Sequence, residues 1–156
     1  MQTTGSLEIG QEAPDFSLKG PGGQPVTLSE YRGRNNVVLV FFPLAFSPVC
    51  SHQLPAIEKE MGRLAALDAV VLGVSVDSHW ANTAFAERLR LSFPLLSDFS
   101  RKASAAYGVL IESAGHSGRA TFVVDRQGRI AYKDHSNTLD VIPDNQRLLA
   151  ALEALR

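Results

Sequence analysis

The chain has 156 residues, 45% of them hydrophobic and 20% charged, which is enough apolar material for the buried core of a single domain spanning residues 1–156. A net charge of −1 and a pI near 6.4 give no electrostatic basis for holding nucleic acid or an anionic membrane, and neither partner is expected. The N-terminus lacks a basic start followed by an apolar run, and no stretch approaches the roughly 18 apolar residues of a spanning helix, so a cytoplasmic location is expected.

Residues 1–8 carry no periodicity and are expected to form a loose tail. The segment from Ala13 to Leu18 then alternates like a strand, Gly20-Pro21-Gly22-Gly23 reads as a turn, and Pro25 to Leu28 returns as the partner of a β-hairpin. Ser29 to Gly33 reads as a short helical turn ended by glycine. Val37 to Phe42 is continuously apolar and rich in β-branched and aromatic side chains, the pattern of a central strand covered on both faces, and Pro43 ends it.

Ser47 is expected to cap the next helix, with Pro48 as its first residue and Cys50 in its first turn. That helix is expected to reach about Leu67 and to present Leu54, Ile57, Met61 and Leu64 on one face. Pro55 has no N–H for the Ser51 carbonyl and is expected to kink the first two turns away from the rest. A strand from Ala69 to Val76 with a polar end at Asp77-Ser78, a helix from about Trp80 to Leu91, a short strand near Leu95-Leu96 and a helical segment from Ser100 to Tyr107 follow. Gly115-His116-Ser117-Gly118 reads as a flexible approach to the strand from Ala120 to Val124, which a turn at 125–128 joins to 129–133 as an antiparallel hairpin. Pro143 marks the start of a closing amphipathic helix carrying Leu148, Leu149, Leu152 and Leu155. This order describes an α/β fold with a central mixed β-sheet flanked by helices on both faces.

Cys50 is the sole cysteine, which excludes an intrachain disulfide, a C-x-x-C pair and a cysteine-rich zinc site. Any thiol chemistry must therefore use one sulfur and an external partner. At a helix start the unpaired N–H groups and the helix dipole favour a thiolate, and the backbone amides around Val49 and Cys50 offer donors to an oxyanion. His52 lies two residues from Cys50 and so points in a different direction on a helix; His79, His116 and His135 are scattered without a carboxylate at ligand spacing, so no metal is expected. The glycines at 20–23 lack the strand–loop–helix context of a phosphate cradle, and no cofactor is expected.

The stretch Phe41-Phe42-Pro43-Leu44-Ala45-Phe46-Ser47-Pro48-Val49-Cys50 resembles the peroxidatic loop of peroxiredoxins, P-x-x-x-T-x-x-C with Ser sometimes replacing Thr; Pro43, Ser47 and Cys50 hold the matching positions. The segments from Ile9 to Phe16, Phe93 to Asp98 and Arg119 to Asp125 are similar to the AhpE-type one-cysteine members of that family. The resemblance implies a thioredoxin fold with an N-terminal β-hairpin extension. It also implies a thiol-dependent peroxidase that reduces hydrogen peroxide, organic hydroperoxides or peroxynitrite. In such a cycle Cys50 attacks as thiolate and becomes a sulfenic acid, which an external thiol restores: a low-molecular-weight thiol or a thioredoxin- or glutaredoxin-like protein.

Carried over residue by residue, Pro43 shields the thiol from water and Ser47 hydrogen-bonds the peroxide. Arg119, just before its apolar strand, offers forked donors to thiolate and peroxide. Gln53, where many peroxiredoxins have Glu, lies on the face of Cys50 and is placed to hold Arg119 by its amide oxygen. Leu44, Phe46 and Trp80 form an apolar collar of the kind that packs across a homodimer interface in this family. A different class of function, a non-catalytic redox sensor or thioredoxin-like binding module, uses the same single cysteine without turnover.

Overall fold

The computed structural model describes residues 7–136 and 140–155, with Cys50 described by its backbone. In chain order, β1 (Ser17–Lys19) and β2 (Pro25–Thr27) form the N-terminal hairpin around a 3-10 turn at Pro21–Gly23, where Gly22 and Gly23 take φ of 69° and 77°. A second 3-10 turn, Leu28–Tyr31, leads to β3 (Asn36–Phe41), α1 (Cys50–Glu58), α2 (Met61–Ala66) and β4 (Ala69–Ser75). Then come α3 (His79–Leu89), β5 (Leu95–Ser97), α4 (Lys102–Ala106), β6 (Leu110–Ile111) and β7 (His116–Ser117). The chain closes with β8 (Arg119–Val124), β9 (Ile130–Ser136) and α5 (Asn145–Glu153).

The main sheet runs β2-β1-β5-β4-β3-β8-β9. β3, β4 and β5 are parallel neighbours, while β8 runs antiparallel to both β3 and β9, so the sheet is mixed. This is a thioredoxin fold with the β1–β2 hairpin added at one edge. β3 lies inside the sheet between β4 and β8, and from Val37 onward its side chains are apolar on both faces. Val38, Val40 and Phe42 meet Leu54, Ile57, Leu64, Phe85, Leu148, Leu149 and Leu152 from α1, α2, α3 and α5. Val37, Leu39 and Phe41 meet Leu28, Val109 and Tyr107 at the end of α4, on the opposite face.

The structure changes several local expectations. Met1 to Ser6 lie outside the described residues, but Leu7 and Glu8 are tied down: Lys133 Nζ donates to the Leu7 carbonyl at 2.7 Å and the Glu8 N–H donates to Gln11 Oε1 at 2.6 Å. The first strand begins only at Ser17, because Asp15 Oδ1 accepts the N–H groups of Phe16 and Ser29 and diverts the backbone before it. The long helix is two helices, and the break falls at Lys59-Glu60 instead of Pro55. α1 runs through Pro55, whose carbonyl accepts Lys59 N–H at 3.1 Å; the missing Ser51 bond does not stop the helix. His116-Ser117 is no flexible approach, since it pairs with Leu110-Ile111. Pro143 precedes the last helix, whose cap is Asp144 accepting Gln146 N–H at 2.8 Å.

Candidate active site

β3 delivers the chain to the site. Phe42 N–H still bonds the Val74 carbonyl at 3.0 Å, and then Pro43, which has no N–H to offer, leaves the sheet and is buried. Leu44 to Ser47 makes a tight turn, with Ser47 N–H reaching the Leu44 carbonyl at 3.4 Å and Phe46 at φ 68°. Helical bonding starts directly afterwards: the Ser47 carbonyl accepts Ser51 N–H at 3.1 Å and Ser51 Oγ at 3.0 Å. Cys50 is the first residue of α1, in the turn whose N–H groups have no intrahelical partner.

The expected side-chain cap is absent. Val49 occupies the N-cap position with helical φ and ψ and no cap bond, and Ser47 Oγ is buried without a hydrogen-bond partner among the described residues. A buried hydroxyl left open costs roughly 1–3 kcal/mol. His52 is exposed on the surface of α1.

Opposite α1, alternation along β8 turns Ala120, Phe122 and Val124 into one core face, leaving Arg119, Thr121 and Val123 toward the face that α1 covers. Arg119 is only 2% exposed, and its Nη1 donates to Gln53 Oε1 at 2.8 Å. Gln53 is equally buried and donates its Nε2 to the Phe41 carbonyl at 3.4 Å, so its amide is oriented by the end of β3. Gln53 follows Cys50 by three residues on the same helix, so the side chain that holds Arg119 belongs to the turn that Cys50 opens. Ser117 Oγ, which the sequence reading did not single out, donates to the Phe42 carbonyl at 3.2 Å and ties the β6–β7 hairpin to the exit of β3.

Leu44, Phe46 and Trp80 are exposed by 39%, 51% and 74%, with the Phe46 ring 4.9 Å from Phe85 and the Trp80 ring 4.1 Å from His79. Phe99, also missed, is 68% exposed and lines one groove with Trp80 and Leu18. Among the described residues no three His, Cys, Asp or Glu side chains group as a metal site, and no helix is long and apolar enough to cross a membrane.

Residues 9–133 match the model of the AhpC/TSA family. The chain is a peroxiredoxin of the AhpC/TSA family. It is 42% identical to alkyl hydroperoxide reductase E of Mycobacterium tuberculosis over 154 residues, covering 95% of this chain and 99% of that protein. It is 38% identical to peroxiredoxin Bcp of Bacillus subtilis, covering 80% of this chain and 83% of the relative. Among solved structures, peroxidoxin BcpB of Mycobacterium tuberculosis superposes with a TM-score of 0.86 at 30% identity, over 96% of this chain and 99% of the other. With one cysteine in the sequence, the peroxiredoxin is a thiol-dependent peroxidase of the one-cysteine, AhpE type.

Proposed function

We propose that Cys50 is the peroxidatic cysteine, reducing hydrogen peroxide, organic hydroperoxides or peroxynitrite. The observation that carries this reading is the buried Arg119–Gln53 hydrogen bond, made by a Gln53 that lies one helical turn from Cys50. The thiolate attacks one peroxide oxygen, an S–O bond forms as the O–O bond breaks, and the leaving group departs as water from hydrogen peroxide or as alcohol from an organic hydroperoxide, in each case after taking a proton, or as nitrite from peroxynitrite. Arg119 meets the charge that develops on the oxygens, Ser47 Oγ and the first-turn amides of α1 supply further donors, and Pro43 keeps water off the sulfur.

The resulting sulfenic acid condenses with an external thiol, releasing water and leaving a mixed disulfide; a second thiol displaces it and regenerates Cys50. A low-molecular-weight thiol or a thioredoxin- or glutaredoxin-like protein serves as reductant. The enzyme works in the cytoplasm as one domain and as a homodimer through Leu44, Phe46 and Trp80, a reading supported by the exposure of these three apolar side chains. Peroxide consumption over many turnovers in the presence of a reductant is the expected result. Slow oxidation that stops at one equivalent would replace the enzyme with a redox sensor.

A further inference from the structure

The turn that presents the site is held from outside by a residue that follows another strand. Asp77 follows β4, and its Oδ2 accepts the Ala45 N–H at 2.7 Å and Ser75 Oγ at 2.7 Å. Asp77 is itself fixed: its carbonyl accepts Ser97 Oγ of β5 at 2.7 Å, its N–H reaches Ser75 Oγ at 3.3 Å, and the next residue, Ser78, caps α3 by accepting Ala81 N–H at 3.1 Å. The turn it grips needs gripping. Leu44 to Ser47 places Phe46 at φ 68°, a left-handed conformation that glycine or asparagine takes readily and a bulky L-residue does not. Left alone, the chain would relax Phe46 to negative φ and swing Ser47 with it; the Asp77–Ala45 bond and the Phe46–Phe85 ring contact oppose this.

We infer that Asp77 is a positioning residue for the peroxide reaction, its carboxylate clamping Ala45 so that the strained Leu44–Ser47 turn holds Ser47 Oγ where the peroxide must bind. The inference rests on the peroxidase reading and adds to it a residue that touches neither thiol nor substrate. One oxygen of Asp77 receives both side-chain bonds, so an amide oxygen at that place can do the same work and the negative charge is not required.

The test compares two reactions of Cys50 at one pH. Peroxide oxidation needs the aligned donors, whereas alkylation by iodoacetamide needs only an accessible thiolate. Asp77→Ala should slow oxidation by hydrogen peroxide about ten-fold or more while alkylation is not slowed, and Asp77→Asn should recover the oxidation rate to within about three-fold. If Asp77→Ala does not fold, Asp77→Ser, whose hydroxyl is too short to reach Ala45, takes its place with the same expected split. Oxidation within about two-fold of the parent rate, equal slowing of both reactions, or an Asn variant as slow as the Ala variant each overturns the inference while the parent still turns over peroxide. A parent that does not react with peroxide overturns the peroxidase reading and this inference together.

Discussion

Arg119 opens β8 and Gln53 lies in α1, yet the guanidinium of one donates to the amide oxygen of the other at 2.8 Å, with both side chains almost wholly removed from solvent. A buried cation is costly unless its donors are met, so the contact both tolerates the charge and aims it. Gln53→Leu keeps volume and removes the acceptor. It should lower the rate constant for Cys50 oxidation by about ten-fold or more, since hydrogen bonds to charged groups contribute roughly 1.5–3 kcal/mol. Gln53→Glu keeps an acceptor and should stay much closer to the parent; stopped-flow oxidation of the two variants separates these outcomes.

Arg119→Lys tests what the forked head contributes. Lysine keeps the charge but cannot donate along two directions from a rigid plane, so the variant should remain folded and lose about 100-fold or more in peroxide reactivity. Its thiol should still be alkylated by a reagent that needs no donor. A lysine variant as fast toward peroxide as the parent would mean that charge alone suffices.

Much of the fold was legible because β3 is apolar on both faces and the helices beside it show a single apolar stripe; burial enforces both patterns. The loop after β3 was less so. Ser47 looks like a cap by local preference, but the Leu44–Ser47 turn and the buried position of its hydroxyl take it out of that role. The two-residue strands β6 and β7 are too short to carry a period, and Pro55 is tolerated because Lys59 N–H resumes the ladder. Arg119 was reached through family resemblance, although alternation with Thr121 and Val123 already places it toward α1. Asp77 was legible only as the polar end of a strand, because its bond to Ala45 spans 32 positions of sequence.

Tyr107 gives the peroxiredoxin an alkaline weakness. Its hydroxyl donates to the Pro14 carbonyl at 2.7 Å, and burial first, then the nearby Asp15 charge, push its ionisation well above the usual tyrosine range. Tyr132 is pushed up to about 12, chiefly by desolvation and then by Asp134. Both native-state values are raised, so this stability is complete below about pH 10, where the unfolded tyrosines begin to ionise, and is lost as pH climbs beyond it. Tyr107→Phe should cost about 1 kcal/mol at neutral pH and flatten the decline above pH 10; urea unfolding at pH 7 and pH 11 reads both effects.

Gly73, in the middle of β4, makes room for the contact of β5 with the end of β3. A Cβ there would overlap Leu95 Cδ2 and touch Phe42 Cε1 and Phe93 Cε1. Gly73→Ala should destabilise the protein by about 1–3 kcal/mol through overpacking, measured as a lower urea midpoint at unchanged slope. A midpoint equal to the parent's would show that Leu95 can yield freely.

The central claim is a cycle run by one sulfur and an external reductant, and intact-mass spectrometry under non-reducing conditions tests it most directly. One equivalent of peroxide should add one oxygen atom to the monomer mass, a small thiol should convert that species to a mixed disulfide, and excess peroxide without thiol should carry it to the sulfinic acid. Cys50→Ser should show none of these masses. A disulfide-linked dimer as the dominant first product at low protein concentration would contradict the account.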